Sequence, residues 1–72
     1  MPERIVERLL ERLRFLAAYP DAGTRRDDLR VGIRTWPEGP FMLIYREVPE
    51  GIEVIRIAHG ARLLELLVTE SF

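Results

Sequence analysis

The chain has no cysteine and no lysine; all eleven of its basic residues are arginine. Without cysteine, neither a disulfide nor a thiolate metal site can hold it together. Its single histidine, His59, cannot hold a structural metal without further ligands. It also lacks an excess of positive charge. Twelve acidic residues give a formal net charge of −1, which argues against strong non-specific binding to nucleic acid. No apolar run approaches the roughly 20 residues needed to span a bilayer. The N-terminal stretch is rich in Glu and Arg and carries no apolar segment of a secretory signal, so a cytoplasmic location is the default expectation. Gly-rich phosphate loops, zinc-ligand spacings and Ser/His/Asp or Cys/His sets are missing as well. Gly32, Gly39, Gly51 and Gly60 are scattered turn residues rather than a cradle. No cofactor and no metal are expected.

What remains is a chain of 72 residues, one domain at most. A chain this short buries a modest share of its surface, so its stability rests on packing and on a partner. Arginine makes planar, bidentate, permanently charged contacts to carboxylate and phosphate. Codon bias in a GC-rich genome is the ordinary explanation for its exclusive use.

Residues 3 to 18 read as a helix. Ile5, Leu9, Leu13 and Leu16 recur at helical spacing, and Val6, Leu10 and Ala17 widen the stripe. Arg4–Glu7, Arg8–Glu11 and Glu11–Arg14 are spaced for contact on the other face, each adding a few tenths of a kcal/mol. Pro20 ends the helix, because the residue before proline avoids helical dihedrals. Residues 20 to 30 form a polar connection in which Asp27-Asp28 caps a short turn. Three strands are expected, at about 31–36, 41–48 and 52–58. Pro37-Glu38-Gly39-Pro40 and Pro49-Glu50-Gly51 separate them, which implies an antiparallel meander. Phe41 to Tyr45 is apolar on both faces and marks a central strand. In the third strand, Ile55 and Ile57 are expected on one face, and Ile52, Val54, Arg56 and Ala58 on the other. Residues 61 to 68 return to helical character. The expected class is α+β: an N-terminal helix, a three-stranded antiparallel meander and a C-terminal helix.

Function enters through a spaced set of residues: Tyr19-Pro20-x-x-Gly23, Asp27-Asp28-Leu29-Arg30-x-Gly32-x-Arg34, Ile44-Tyr45-Arg46 and Ile57-Ala58-His59-Gly60-Ala61-Arg62. In order and spacing this set resembles the second half of the RelE/ParE family of toxins from bacterial toxin–antitoxin pairs, the ParE branch in particular. The family pattern begins with a strand and a helix that have no counterpart here. The resemblance implies that apolar surface is left bare. Its cover would be a second copy of the chain or an antitoxin, unless the chain is a shortened family member. Exposed apolar area costs about 25 cal/mol per Å², and a contiguous patch marks an interaction surface.

The ParE branch implies a toxin of plasmid-stabilization type that acts by protein contact and poisons DNA gyrase. It also implies neutralisation by a small cognate antitoxin and no catalytic residues. The candidate contact residues are Arg34, Trp36, Arg56, His59 and Arg62, and Arg and Trp are frequent interface hot spots. Each also has a plain structural reading. Arg34 is placed to pair with Asp28 or Glu53. Trp36, before Pro37, plugs the edge of the core. His59 bonds backbone at a strand-to-helix junction. Arg62 falls in the first turn of the last helix, where the dipole disfavours a cation, so a partner would have to hold it there. Tyr45 is expected in the core with its hydroxyl at the rim.

The alternative is a ribosome-dependent mRNA endonuclease of the RelE branch, whose chemistry needs a base, an acid and positive groups around the phosphate. Met42 stands where such enzymes carry an arginine and Gly32 where they carry a lysine, and no Tyr follows Tyr45. Glu47 and His59 are the remaining acid/base pair. A third reading is an inactive, oligomerising family member.

Overall fold

A computed structural model describes residues 3–59. Its elements are helix α1 (Glu3–Ala18), a 3-10 turn (Pro20–Ala22), and strands β1 (Thr24–Arg25), β2 (Ile33–Glu38), β3 (Phe41–Val48) and β4 (Gly51–His59). The helix runs the length its apolar spacing predicts. It stops where Tyr19 leaves helical dihedrals ahead of Pro20, with the Tyr19 amide still bonded to the Phe15 carbonyl at 2.9 Å. The α+β class holds. The helix expected at 61–68, with Arg62, lies outside the described residues.

The sheet has four strands rather than three, all antiparallel, in the order β1-β2-β3-β4. The additional strand, β1, is two exposed residues long and pairs Thr24 with Thr35 and Arg25 with Arg34. A loop then returns the chain to β2, closed where the Asp27 carboxylate accepts the Gly32 amide at 2.9 Å. The expected break at Pro37 is also corrected. β2 continues through Pro37, which stands opposite Met42, and Glu38, opposite Phe41. Proline is tolerated there because β1 ends at the level of Thr35, so no described strand needs the amide that Pro37 lacks. The reversal falls instead on Gly39-Pro40, where Gly39 takes a φ of +58°, a conformation that favours glycine.

Strand β3 is sandwiched between two apolar clusters. On the helix side, Leu9 and Leu16 of α1 close on Leu43 and Tyr45, with Ile5, Leu13, Trp36, Phe41 and Ile52 packed around them. On the other face, Ile33, Ile44 and Ala58 form a second cluster with Leu29, Met42 and Ile55 against it. Leu16, Leu43 and Tyr45 have no exposed surface. Fully burying a side chain such as Leu16 is worth about 1.5–3 kcal/mol.

The alternation expected along β4 is overturned. Ile44 pairs with Arg56 and Tyr45 with Val54, leaving Ile55 as the extra residue of a β-bulge. The bulge resets which side each residue faces. Ile52, Val54, Ile57 and His59 therefore share the helix side with their partners on β3, while Ala58 and Ile55 join the opposite cluster. No helix among the described residues is long and apolar enough to cross a membrane.

Candidate protein-binding site

The four motif residues Pro20, Gly23, Arg34 and Tyr45 converge on one turn. The Tyr45 hydroxyl donates to the Pro20 carbonyl and accepts the Gly23 amide, both at 2.8 Å. Arg34, one strand over, donates through Nη1 to the carbonyls of Gly23 at 2.8 Å and Asp21 at 3.3 Å. Burial raises the Tyr45 phenol above its ordinary pKa, against the opposing pull of the Gly23 amide and Arg34. Tyr45 has no exposed surface, so its hydroxyl is interior, not at the rim. Arg34 does not pair with Asp28 or Glu53. Those carboxylates are taken by Arg26, at 3.1 Å from Asp28, and by Arg46, which pairs with Glu53 across β3 and β4. Arg34 thus positions the turn at the end of α1.

That turn presents an aromatic surface. Tyr19 and Phe15, one helical turn apart, have ring centroids 5.4 Å from each other, and Phe15 lies 5.6 Å from Trp36 on β2. The Arg12 guanidinium sits 5.3 Å from the Phe15 ring and 5.2 Å from the Trp36 ring, within cation–π range of both. Glu38 holds it in place, accepting Arg12 Nε at 2.7 Å and Arg8 Nη2 at 3.2 Å. The Arg12 hydrogen bond, outweighing desolvation, lowers the Glu38 carboxyl pKa below its usual value. Trp36 is half-buried against the core, as a plug of its edge should be, while Tyr19 remains 60% exposed.

The five expected contact residues do not form one site. By strand register Arg34, Trp36 and His59 face the helix side and Arg56 the opposite side. Arg62 falls beyond the described residues. His59 is the last residue of β4, its ring edge-on to Phe41 at 5.3 Å. The alternative acid/base pair is separated. Glu47 and Phe41, the strand partner of His59, lie six residues apart on β3, which is about 20 Å at ~3.3 Å per residue. Among the described residues no group of His, Cys, Asp or Glu could hold a metal ion. The contact residues expected from the sequence do not include Arg12, Phe15 or Tyr19, the last of them named only as part of the Tyr-Pro-x-x-Gly motif. The available signal was two aromatics at i,i+4, which meet on a helix surface.

Two carboxylates shape the loop before β2. The Gly32 amide chiefly lowers the Asp27 pKa, with Arg25 at 2.8 Å adding to it, and the Arg26 hydrogen bonds lower that of Asp28.

Residues 2–64 match the family described as the ParE toxin of the type II toxin–antitoxin system, parDE. The chain is also similar to Toxin ParE3 of Caulobacter vibrioides, with 40% identity over 45 residues. That match covers 62% of this chain and 45% of the relative, so the chain spans about half the length of the curated protein it matches. Four of the motif residues that resembled this family, Pro20, Gly23, Arg34 and Tyr45, are gathered by the fold around Pro20–Gly23, and with a family match across most of its length the chain belongs to the ParE toxin family.

Proposed function

We propose that the chain is the toxin component of a type II toxin–antitoxin system, acting in the cytoplasm by binding protein rather than by catalysis. Its partners on this reading are a cognate antitoxin and DNA gyrase. The observation that carries the reading is the Tyr19–Phe15–Trp36 ladder with Arg12 against it. Aromatics and arginine on a rigid helix–strand support are the chemistry of interface hot spots. Of the five expected residues, Trp36 is the contact at this surface, Arg34 holds the adjoining turn, and Arg56 and His59 belong to other surfaces; Arg62 lies outside the described residues. Self-association is part of the same proposal.

Expression in a bacterial host, with DNA supercoiling and mRNA integrity both followed, tests it. Growth arrest with altered supercoiling and intact mRNA supports the proposal. Early mRNA cleavage overturns it in favour of a ribosome-dependent endonuclease, and unaffected growth points to an inactive family member.

A further inference from the structure

Helix α1 and the end of β2 form a seam in which an apolar notch, an arginine and a pair of rings follow one another. The notch, of about 70 Å³, is walled by Ile5, Leu9, Pro40 and Phe41 and rimmed by Arg8 and Glu38. Next comes the Arg12 guanidinium, and beyond it the exposed rings of Phe15 and Tyr19. Residues 5, 8, 12, 15 and 19 advance by three or four, so they share one stripe of the helix. From Ile5 to Tyr19 the stripe runs about 20 Å at ~1.5 Å per residue, the reach of about six residues of extended chain.

We propose that this seam holds an extended acidic segment of a partner protein, with one carboxylate gripped by Arg12 and apolar side chains on either side of it. The inference rests on the protein-binding reading above and names the chemistry of the partner. The state of Arg12 points to a carboxylate. Its Nε donates to Glu38 at 2.7 Å, while its two Nη groups have no acceptor among the described residues. No buried side-chain nitrogen is left without a partner there, so the Nη groups open to solvent. The side chain is only 35% exposed and is fixed by Glu38 and the Phe15 and Trp36 rings. A planar fork held in this way matches the two oxygens of a carboxylate and has little side-chain freedom left to lose. The charge balance points the same way. Glu38 is shared between Arg12 and Arg8, the latter at 3.2 Å. Two arginines thus meet one carboxylate, and a positive charge is left for the partner to answer. Glu11, beside Arg12 in the chain, and Asp21, beyond Tyr19, pair with neither arginine.

The fork has apolar surface on both sides, the notch on one and the Phe15 and Tyr19 rings on the other. The carboxylate therefore belongs to a chain with apolar side chains near it. Alternate residues of an extended segment face the same side, which sets the pattern as apolar, acidic, apolar at every second position. A single-stranded nucleic acid fits this surface less well. Its bases need open ring faces to stack on, whereas the rings here tilt against one another by 42° and 59° and Arg12 lies over Phe15 and Trp36.

Trp36 is the single tryptophan of the chain and lies 5.2 Å from Arg12, so its emission reports on the seam. The full chain is titrated, up to millimolar concentration, with the capped pentapeptide Leu-Ser-Glu-Ser-Leu, with its Gln and Lys counterparts, and with oligothymidylate. The acidic peptide is expected to give a saturable change, the Gln peptide to bind about tenfold more weakly, and the Lys peptide to give none. Arg12→Lys keeps the charge and loses the fork, and should weaken the acidic peptide about fivefold. Arg14→Gln, at an exposed position off the stripe, should leave it unchanged. No response to the acidic peptide, equal binding of the Glu and Gln peptides, tighter binding of the oligonucleotide, or native affinity in Arg12→Lys overturns the proposal. If Arg12→Lys fails to fold by circular dichroism, the three peptides on the native chain decide. A chain that arrests growth yet ignores the acidic peptide overturns this seam and leaves the toxin reading standing, and one that binds the peptide without arresting growth does the reverse.

Discussion

The phenol of Tyr45 and the backbone of Gly23 share a space that holds no further atom. The Gly23 amide lies 2.8 Å from the Tyr45 hydroxyl, and a β-carbon built on Gly23 would stand 2.2 Å from that oxygen and 2.8 Å from the ring carbons behind it. The pair explains why Tyr-Pro-x-x-Gly and Ile-Tyr-Arg, far apart in the chain, belong to one signature. Together they fasten the end of α1 to the central strand.

Replacing Tyr45 by Phe keeps the ring and strips the turn of two partners. The Pro20 carbonyl and Gly23 amide are left without their hydrogen bonds, at about 1–3 kcal/mol for a buried group so orphaned. Urea denaturation should show a loss of about 2–3 kcal/mol, and hydrogen exchange at the Gly23 amide should accelerate well beyond that of the core of β3.

Gly23→Ala should be at least as damaging, because the methyl group meets a fully buried side chain that cannot retreat. Combining it with Tyr45→Phe gives less than the sum of the two losses, since the phenylalanine removes the nearest atom yet leaves ring carbons within 2.8 Å. Additive losses in the double-mutant cycle would contradict the contact.

Arg34→Lys separates a positioning role from direct contact. A lysine keeps the charge and cannot spread two N–H groups over neighbouring carbonyls as the guanidinium does. The expected outcome is a stability loss of about 1–2 kcal/mol, with antitoxin affinity unchanged once the variant is fully folded. A folded variant that has lost affinity would make Arg34 a contact residue.

Phe15→Ala should do the opposite. Phe15 lies at the surface, and its removal should cost about 1 kcal/mol or less in stability. If the ladder is the binding surface, affinity for the antitoxin or for gyrase falls about tenfold or more, measured by calorimetry on the purified pair.

The link between Glu38 and Arg12 has a pH signature. Its carboxyl pKa is held below the ordinary 4.5 in the folded chain. The stability it contributes is therefore fully present above about 4.5 and is lost as pH falls through the folded value. Glu38→Gln lowers the melting temperature at neutral pH, and the gap between variant and parent should close as the solution is taken below that range.

Much of the architecture is written in local spacing. Ile5, Leu9, Leu13 and Leu16 repeat with the period of a helix, Pro20 cannot continue one, and the Pro/Gly-containing stretches 37–40 and 49–51 divide three runs into a meander. A few adjacent residues carry each of these signals, so they survive in the sequence read alone. The family signature was legible in the same way, as residues at fixed intervals.

What the residues at those intervals do was decided only when distant segments met. Strand β1 exists because Thr24 and Arg25 find Thr35 and Arg34 across a loop, with no apolar alternation of their own to announce it. The bulge at Ile55 reassigns the faces of β4, a choice set by register against β3 and invisible to a period of two. Arg34 finds the carbonyls of Asp21 and Gly23 instead of a carboxylate because β2 delivers it to the end of α1. Trp36 becomes part of an aromatic ladder because packing lays Phe15 beside it. The physical reason is common to all four. A propensity is a property of a few consecutive residues, whereas a partner is a property of where two stretches of backbone are held relative to each other, and only the packed core holds them.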